Sequence, residues 1–264
     1  MVIRMEKLYM GIDTGSAYTK GVLIDKNSNI IISDMVKTNN NSIEATKKLL
    51  SKIKDKIDFR KYMVVGVGVT GTSKRLIGSI LNAQVIRNEI STIAKGVIEL
   101  HPEIKTIMEI GETDLKIIYM ENDKIKDYSI NNDYYTVSGS VIHLLSKKIK
   151  ENKIDDFLIP LFGNVKNNCI DVDALIVNCF NKIIGNNIIN APIMFIGGMS
   201  KNLRVVKVLE KLLNKKILIT KDSEYVEALG IAILNKENNN EIIVNLDDCI
   251  FKLIEANNNL LQVI

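Results

Sequence analysis

A pattern of four residues occurs twice in the chain, and this internal repeat restricts the possible folds more than any other feature. The residues Asp13, Gly15, Lys20 and Asp25 are matched 96 positions later by Glu109, Gly111, Lys116 and Glu121. Each copy has an acid-x-Gly turn after an apolar run, and a second apolar run that opens with the lysine. A strand-turn-strand unit of this kind places backbone N–H groups beside a carboxylate, which suits phosphate and its Mg²⁺. Two copies predict two turns that clamp one nucleotide. The alternative is two ordinary hairpins whose turn residues coincide.

Length and composition favour two lobes of ordinary globular protein. The 264 residues exceed the usual size of one domain, so two lobes of roughly 100–150 residues are expected. The net charge of +4 comes from 35 basic and 31 acidic residues spread along the chain. We interpret the lysine-rich stretches at 47–56 and 147–153 as solvated helix faces, with nucleic-acid binding as the alternative.

Hydropathy disfavours a membrane-spanning protein and a secreted one. No apolar run approaches the ~18 residues of a membrane-spanning helix, and the N-terminus lacks the apolar segment of a signal peptide. The sequence therefore predicts a cytoplasmic protein with neither a membrane nor a nucleic-acid partner.

Apolar periodicity predicts strands and helices in the order β-β-β-α-β-α, approximately repeated. The predicted strands are 8–12, 19–24, 30–36, 63–69, 84–86, 106–110, 116–121, 124–130 and 193–196. The first predicted helix begins at Ser42. The others cover 89–100, 138–150, 154–161, 172–184, 203–213 and 225–234. The runs 63–69 and 193–196 are apolar at nearly every position, which indicates a strand covered on both faces in each lobe. This order predicts an α/β protein of two similar lobes around a cleft, at 1–104 and 105–236, with an appended tail at 237–264.

Six short motifs carry a family resemblance. They lie at 9–25, 69–71, 88–96, 107–116, 195–202 and 227–232. In this order they resemble the 2-hydroxyacyl-CoA dehydratase activators, the BadF/BadG/BcrA/BcrD-type ATPases of the actin-like superfamily. The resemblance implies a duplicated actin-like (ribonuclease H-like) ATPase fold, ATP or ADP with Mg²⁺ as ligands, a homodimer, and a dehydratase-like protein partner.

The resemblance also implies three nucleotide-binding loops. The first is expected to reach the β- and γ-phosphates, and its residues are Gly11, Asp13, Thr14, Gly15 and Ser16. Lys20 is a further candidate, although strand alternation points it along the sheet surface. The other two loops contribute Gly111, Thr113 and Asp114, and then Gly197, Gly198, Lys201 and Asn202, where a helix N-terminus suits the α-phosphate and ribose. Asp13 is expected to hold Mg²⁺ through water, and Asp13 and Asp114 are the catalytic candidates.

The second loop departs from the family pattern Asp-Ile-Gly-Gly-Gln-Asp-Ser-Lys. Glu109 replaces its first Asp, Glu112 its second Gly and Thr113 its Gln. A Glu112 carboxylate beside a polyphosphate is repulsive, and its side chain blocks a close backbone approach. We therefore expect ATP hydrolysis to be slowed or lost.

A second departure concerns iron. The activators bind a [4Fe-4S] cluster through the Cys of Asn-Asp-Lys-Cys-Ala-Ala-Gly-Thr-Gly, and Tyr135 stands at that position within 132–140. The segment expected to supply the second ligand, around 150–157, has no Cys, and Cys169 is not an evident replacement. Because thiolates hold such clusters, no [4Fe-4S] cluster is expected.

The sequence leaves several functions open. The leading hypothesis is an ATP-binding switch, with or without hydrolysis, that a partner protein reads at the predicted helix 138–150. One alternative is a small-molecule, sugar-type kinase with Asp114 as the base. Others are a non-catalytic paralogue that no longer binds nucleotide, and a cluster carrier whose ligands lie elsewhere in the chain.

Overall fold

The computed structural model describes residues 5–111, 114–131 and 172–261. Glu112, Thr113, Tyr135, Cys169 and the predicted helices 138–150 and 154–161 lie outside this part of the chain. The chain divides into two compact units. The first draws on Met1–Pro102 and Tyr225–Ile264, and the second on Glu103–Glu224.

Strands and helices alternate as the sequence predicted. The strands are β1 Glu6–Thr14, β2 Tyr18–Ile24, β3 Ile30–Lys37, β4 Tyr62–Thr70, β5 Val85–Ile86, β6 Thr106–Ile110, β7 Leu115–Glu121, β8 Lys124–Asn131, β9 Ile193–Ile196 and β10 Ile217–Leu218. The helices are α1 Ser42–Lys56, α2 Lys74–Leu81, α3 Glu89–Leu100, α4 Val172–Ile184, α5 Leu203–Leu213, α6 Val226–Glu237 and α7 Leu246–Leu261. A short 3₁₀ helix, Gly198–Lys201, precedes α5.

The first unit is a five-stranded sheet in the order β3-β2-β1-β4-β5. The central strand β1 pairs antiparallel with β2 and parallel with β4. Successive β1 side chains alternate between the two faces. Leu8, Met10 and Ile12 pack in the core cluster that includes α1, α2 and α7, and Tyr9 packs with α6 on the opposite face. Both faces of β1 are therefore buried, and its end at Thr14 is fixed on two sides.

The second unit repeats this topology. Its five strands are ordered β8-β7-β6-β9-β10, which matches the first sheet strand for strand. The strand β6 pairs antiparallel with β7 and parallel with β9, as β1 does with β2 and β4. Met108 and Phe195 pack against Phe180 of α4 and Leu209 of α5. The duplication predicted from the repeat is confirmed.

The C-terminal segment differs from the predicted tail, because it is folded onto the first unit. Leu246 and Leu253 of α7 are fully buried in the first core cluster. Before α7, Ile242 accepts a hydrogen bond from Gly66 N–H at 2.8 Å, and Val244 N–H donates to Val64 at 2.9 Å. Residues 225–261 thus belong to the first unit, whereas the sequence analysis grouped 225–236 with the second lobe. The asparagine-rich composition of α7 conceals its apolar stripe.

A hydrogen bond from β1 to the segment before α7 adds to this attachment. The Tyr9 hydroxyl donates to Glu241 Oε1 at 2.7 Å. Burial, together with the bond to Glu241, raises the pKa of Tyr9 to about 12. Tyr9 therefore remains a donor throughout the neutral range. Among the described residues, no helix has the length and apolarity needed to cross a membrane.

Candidate functional site

The acid and the lysine of the first repeat form a pair across two strands. Asp13 near the end of β1 lies opposite Lys20 on β2 in the antiparallel register. The Lys20 Nζ is 3.3 Å from Asp13 Oδ2, and Asp13 is only 2% exposed. A buried carboxylate is stable only when it is hydrogen-bonded or paired with a cation. Lys20 meets part of that requirement.

The second repeat makes the same pair and adds a second acid. Glu109 on β6 lies opposite Lys116 on β7, and Lys116 Nζ is 2.8 Å from Glu109 Oε2. The same ammonium group is 3.0 Å from Asp114 Oδ1. The position equivalent to Asp114 in the first repeat is Tyr18, so the second hairpin holds two carboxylates around one lysine.

The sequence contains a signal for these pairs. In both repeats the acid and the lysine are seven residues apart with the turn between them. In a hairpin this separation places them opposite each other, where opposite charges attract. Lys20 is predicted to lie along the sheet surface or to bind phosphate, and the structure shows its contact with Asp13; Lys116 makes the equivalent contact with Glu109.

The loop after β1 presents backbone donors beside Asp13. Ser16 is exposed, and the N–H groups of Ser16 and Ala17 donate to no atom of the described residues. A Cβ built on Gly71 would lie 2.7 Å from Asp13 Oδ1 and 2.6 Å from the Thr14 backbone nitrogen, so this position needs glycine to pack closely against the loop. Consecutive N–H groups next to a carboxylate suit a phosphate with its metal ion.

Two residues of the first loop that were expected to bind phosphate make contacts within the protein instead. A Cβ on Gly11 would lie 2.1 Å from the carbonyl oxygen of Ala228, so this glycine allows β1 to pack against α6. The Thr14 hydroxyl donates to the Thr70 carbonyl at 2.8 Å and ties the ends of β1 and β4 together. Gly11 and Thr14 thus position the loop through the sheet.

In the second unit, Gly111 and Asp114 form a tight turn. Gly111 N–H donates to the Asp114 carbonyl at 2.9 Å. A Cβ on Gly111 would lie 2.4 Å from Asp114 Oδ1, so the absence of a side chain lets the Asp114 carboxylate lie close to this glycine. Gly197, with a φ of 81°, lies against the same site, because its Cβ would be 3.2 Å from Glu109 Cγ. The structure therefore brings the second and third predicted loops together within this unit.

The remaining residues of the third loop divide into two groups. Gly198 is exposed, and a Cβ built on it meets no atom within 4 Å. Asn202 caps α5 by accepting from Arg204 N–H at 3.1 Å, and Lys201 forms an ion pair with Glu224. Gly198 is the member of this loop that remains open to a ligand, whereas Lys201 and Asn202 each have a partner in the protein.

A metal ion at this site would depend on one carboxylate. The described residues contain no group of three or more His, Cys, Asp or Glu side chains placed to hold a metal. Mg²⁺ commonly needs only one or two protein carboxylates, because phosphate oxygens and water complete its shell. Asp13 is the carboxylate of the first loop that could take that limited role, with water between it and the ion.

Comparison with known proteins agrees with the geometry. Residues 10–152, more than half of the chain, match the BadF/BadG/BcrA/BcrD ATPase family. The uncharacterized protein MJ0004 of Methanocaldococcus jannaschii is 24% identical, and the alignment covers 86% of this chain and 100% of that protein. The 2-hydroxyisocaproyl-CoA dehydratase activator of Clostridioides difficile is 21% identical over 85% of this chain and 93% of its own length.

A solved structure shares the fold. It is the Clostridium difficile activator of the 2-hydroxyisocaproyl-CoA dehydratase with bound ADPNP, and its TM-score is 0.70 at 20% identity. The match covers 88% of this chain and 95% of that one. The two matching five-stranded sheets and this likeness show an actin-like α/β fold, as predicted. The chain belongs to the BadF/BadG/BcrA/BcrD ATPase family.

Proposed function

We propose that this protein is an ATP-binding switch related to the dehydratase activators. The observation that supports it most is that the N–H groups of Ser16 and Ala17 donate to no atom of the described residues, in the loop at the end of the central strand of an ATPase fold. In this proposal the first loop binds phosphate, and Asp13 holds Mg²⁺ through water. Gly111, Thr113, Asp114 and Gly198 are the proposed nucleotide ligands of the second unit.

Contacts in the second unit favour a switch over a kinase. A kinase of this fold needs a carboxylate that accepts the proton of the substrate hydroxyl. Asp114 is the candidate, and the ammonium group of Lys116 lies 3.0 Å from its carboxylate. A carboxylate in contact with a cation is less available to a substrate proton. Glu112 further disfavours phosphate chemistry at that loop by repulsion.

The switch would act through a partner. We infer a cytoplasmic homodimer whose ATP-bound and ADP-bound states differ in affinity for a dehydratase-like protein, because a ligand shifts a conformational equilibrium only by binding the states unequally. Amide hydrogen exchange tests this step. Different protection patterns with Mg·ATP and Mg·ADP are expected, and identical patterns under saturation would contradict a switch.

The Asp13→Asn variant separates a metal role from a structural one. We expect Mg·ATP affinity to fall at least ~10-fold, since the lost charge acts through the ion. Metal-free ATP should bind equally well or better, because Lys20 loses its carboxylate partner and becomes available to phosphate. Calorimetry with Mg²⁺ and with EDTA makes the comparison. Equal losses in both titrations would show that Asp13 is a structural residue.

Iron analysis tests the predicted absence of a cluster. Tyr135 stands at the position of the family's cluster Cys. Cys249 is buried in the core of the first unit, where it packs with apolar side chains. Anaerobically purified protein is therefore expected to be colourless, without stoichiometric iron or sulfide. Any dimer should survive iron chelators. A brown preparation that loses both its visible absorbance and its dimer on chelation would contradict this prediction. It would indicate that the protein carries a cluster, as the electron-donating activators do.

A further inference from the structure

Thr38 makes two hydrogen bonds to the loop that follows β1. It lies directly after β3 and is 6% exposed. Its backbone N–H donates to the carbonyl of Ala17 at 2.8 Å, and its hydroxyl donates to the carbonyl of Gly15 at 2.8 Å. One buried residue thus holds two carbonyl groups of the three-residue loop 15–17.

These bonds determine which way the loop presents its donors. In a planar trans peptide, the C=O of one residue and the N–H of the next point in opposite directions. Because the Gly15 carbonyl points toward the buried Thr38 hydroxyl, the Ser16 N–H points away from it. Ser16 is exposed, and its N–H has no acceptor among the described residues. The contact with Thr38 therefore turns a backbone donor outward.

A tight turn places Thr38 for this contact. Asn39 and Asn40 have φ angles of 48° and 58°, as the two central residues of a type I′ turn require. Asn41 N–H closes the turn on the Thr38 carbonyl at 3.0 Å, and the Asn41 side chain caps α1. Asparagine tolerates positive φ better than other residues with a side chain. The Asn-Asn-Asn run thus fixes the Thr38 backbone between β3 and α1.

A neighbouring hydroxyl completes the arrangement. Thr19 is buried on β2, and its Oγ1 is 3.0 Å from Thr38 Oγ1. Since the Thr38 proton is directed to Gly15, the Thr19 hydroxyl is the donor in this second bond. Removing the Thr19 hydroxyl would leave the bond from Thr38 to Gly15 in place, which makes Thr19 a matched control.

We propose that Thr38 is a positioning residue. By bonding to the first loop, Thr38 holds the Ser16 N–H in the direction needed to bind an anionic phosphate oxygen. The ligand part of this inference rests on the proposed ATP binding. The positioning part concerns the protein without ligand, and it can be measured independently.

Three variants test the inference by calorimetry with Mg·ATP. Thr38→Val keeps the shape and removes the hydroxyl, and we expect the Kd to rise about 5- to 30-fold, because a buried carbonyl loses its donor and the loop loses its fixed direction. Thr38→Ser retains the hydroxyl and should bind within roughly 2-fold of wild type. Thr19→Val removes an equally buried hydroxyl that does not touch the loop, and it should also bind normally.

Hydrogen exchange without nucleotide gives the second readout. The amide of position 38 donates to Ala17, so its exchange reports whether the loop stays attached. Exchange should accelerate in Thr38→Val and remain slow in Thr38→Ser and Thr19→Val. If Thr38→Val binds Mg·ATP like wild type, or if its position-38 amide stays protected, the inference is overturned. A wild-type chain that binds no ATP would overturn the proposed function, and with it the ligand role of Ser16.

Discussion

Replacing Lys116 with Met is expected to lower the free energy of unfolding by about 3–5 kcal/mol at neutral pH, since it removes the cation from a buried ionic cluster. Lys116 is 5% exposed and contacts both Glu109, at 2.8 Å, and Asp114, at 3.0 Å. Without Lys116, the buried Glu109 and the partly exposed Asp114 lose the cation that lies within 3.0 Å of both carboxylates. Urea unfolding at pH 7 measures the loss.

An exposed pair on the same sheet provides the control. Lys126 contacts Glu121 at 2.7 Å, with side chains 59% and 57% exposed. Because water screens such pairs, Lys126→Met should cost under ~1 kcal/mol. The Lys116→Met defect should also shrink at acidic pH, where the two carboxylates become protonated and no longer repel each other. A defect as small as that of the control would show that Lys116 does not compensate these acids.

Gly230→Ala is expected to destabilise the first unit by about 3 kcal/mol or more, because no room exists for a methyl group. Gly230 lies on α6, and its Cβ would be 1.8 Å from the carbonyl oxygen of Thr92 on α3. The obstructing atoms are backbone, so relief requires the two helices to move apart. This close approach explains the glycine in the motif Glu227-Ala-Leu-Gly-Ile-Ala.

Gly198→Ala is the matched control, because a Cβ there meets no atom within 4 Å. Its stability should stay within roughly 0.5 kcal/mol of wild type. Thermal and urea unfolding of both variants give the comparison. Equal stability of the two variants would contradict the close packing of α3 against α6.

Much of the fold was predictable because its apolar pattern is regular. The predicted bounds of α3, β6, α4, β9 and α5 agree with the structure residue for residue. The elements missed have weak local signals. Gly78 lies within the short helix α2 and weakens its helical signal, β10 has only two residues, and the asparagine-rich surroundings of α7 obscure its short stripe of buried residues. The position of α7 against α1 and α2 depends on tertiary contacts that periodicity does not encode.

The candidate site was predictable in residue type but less so in contacts. The repeat identified Asp13, Glu109 and their glycine turns, and the structure places these at equivalent ends of two sheets. The roles of the lysines depend on strand register, which pairs each with its acid. Thr38 could not be found from local sequence, because its contacts with Gly15 and Ala17 form only when β3 lies beside β2.

Calorimetric titration of the wild-type protein with ATP and ADP in the presence of Mg²⁺ tests the central claim most directly. We expect saturable binding with a Kd in the micromolar range, which corresponds to a binding free energy on the order of −8 kcal/mol. ATP should bind more weakly when EDTA removes the metal. A flat trace with a correctly folded protein would contradict the account. That result would identify the chain as a member of this ATPase family that no longer binds nucleotide.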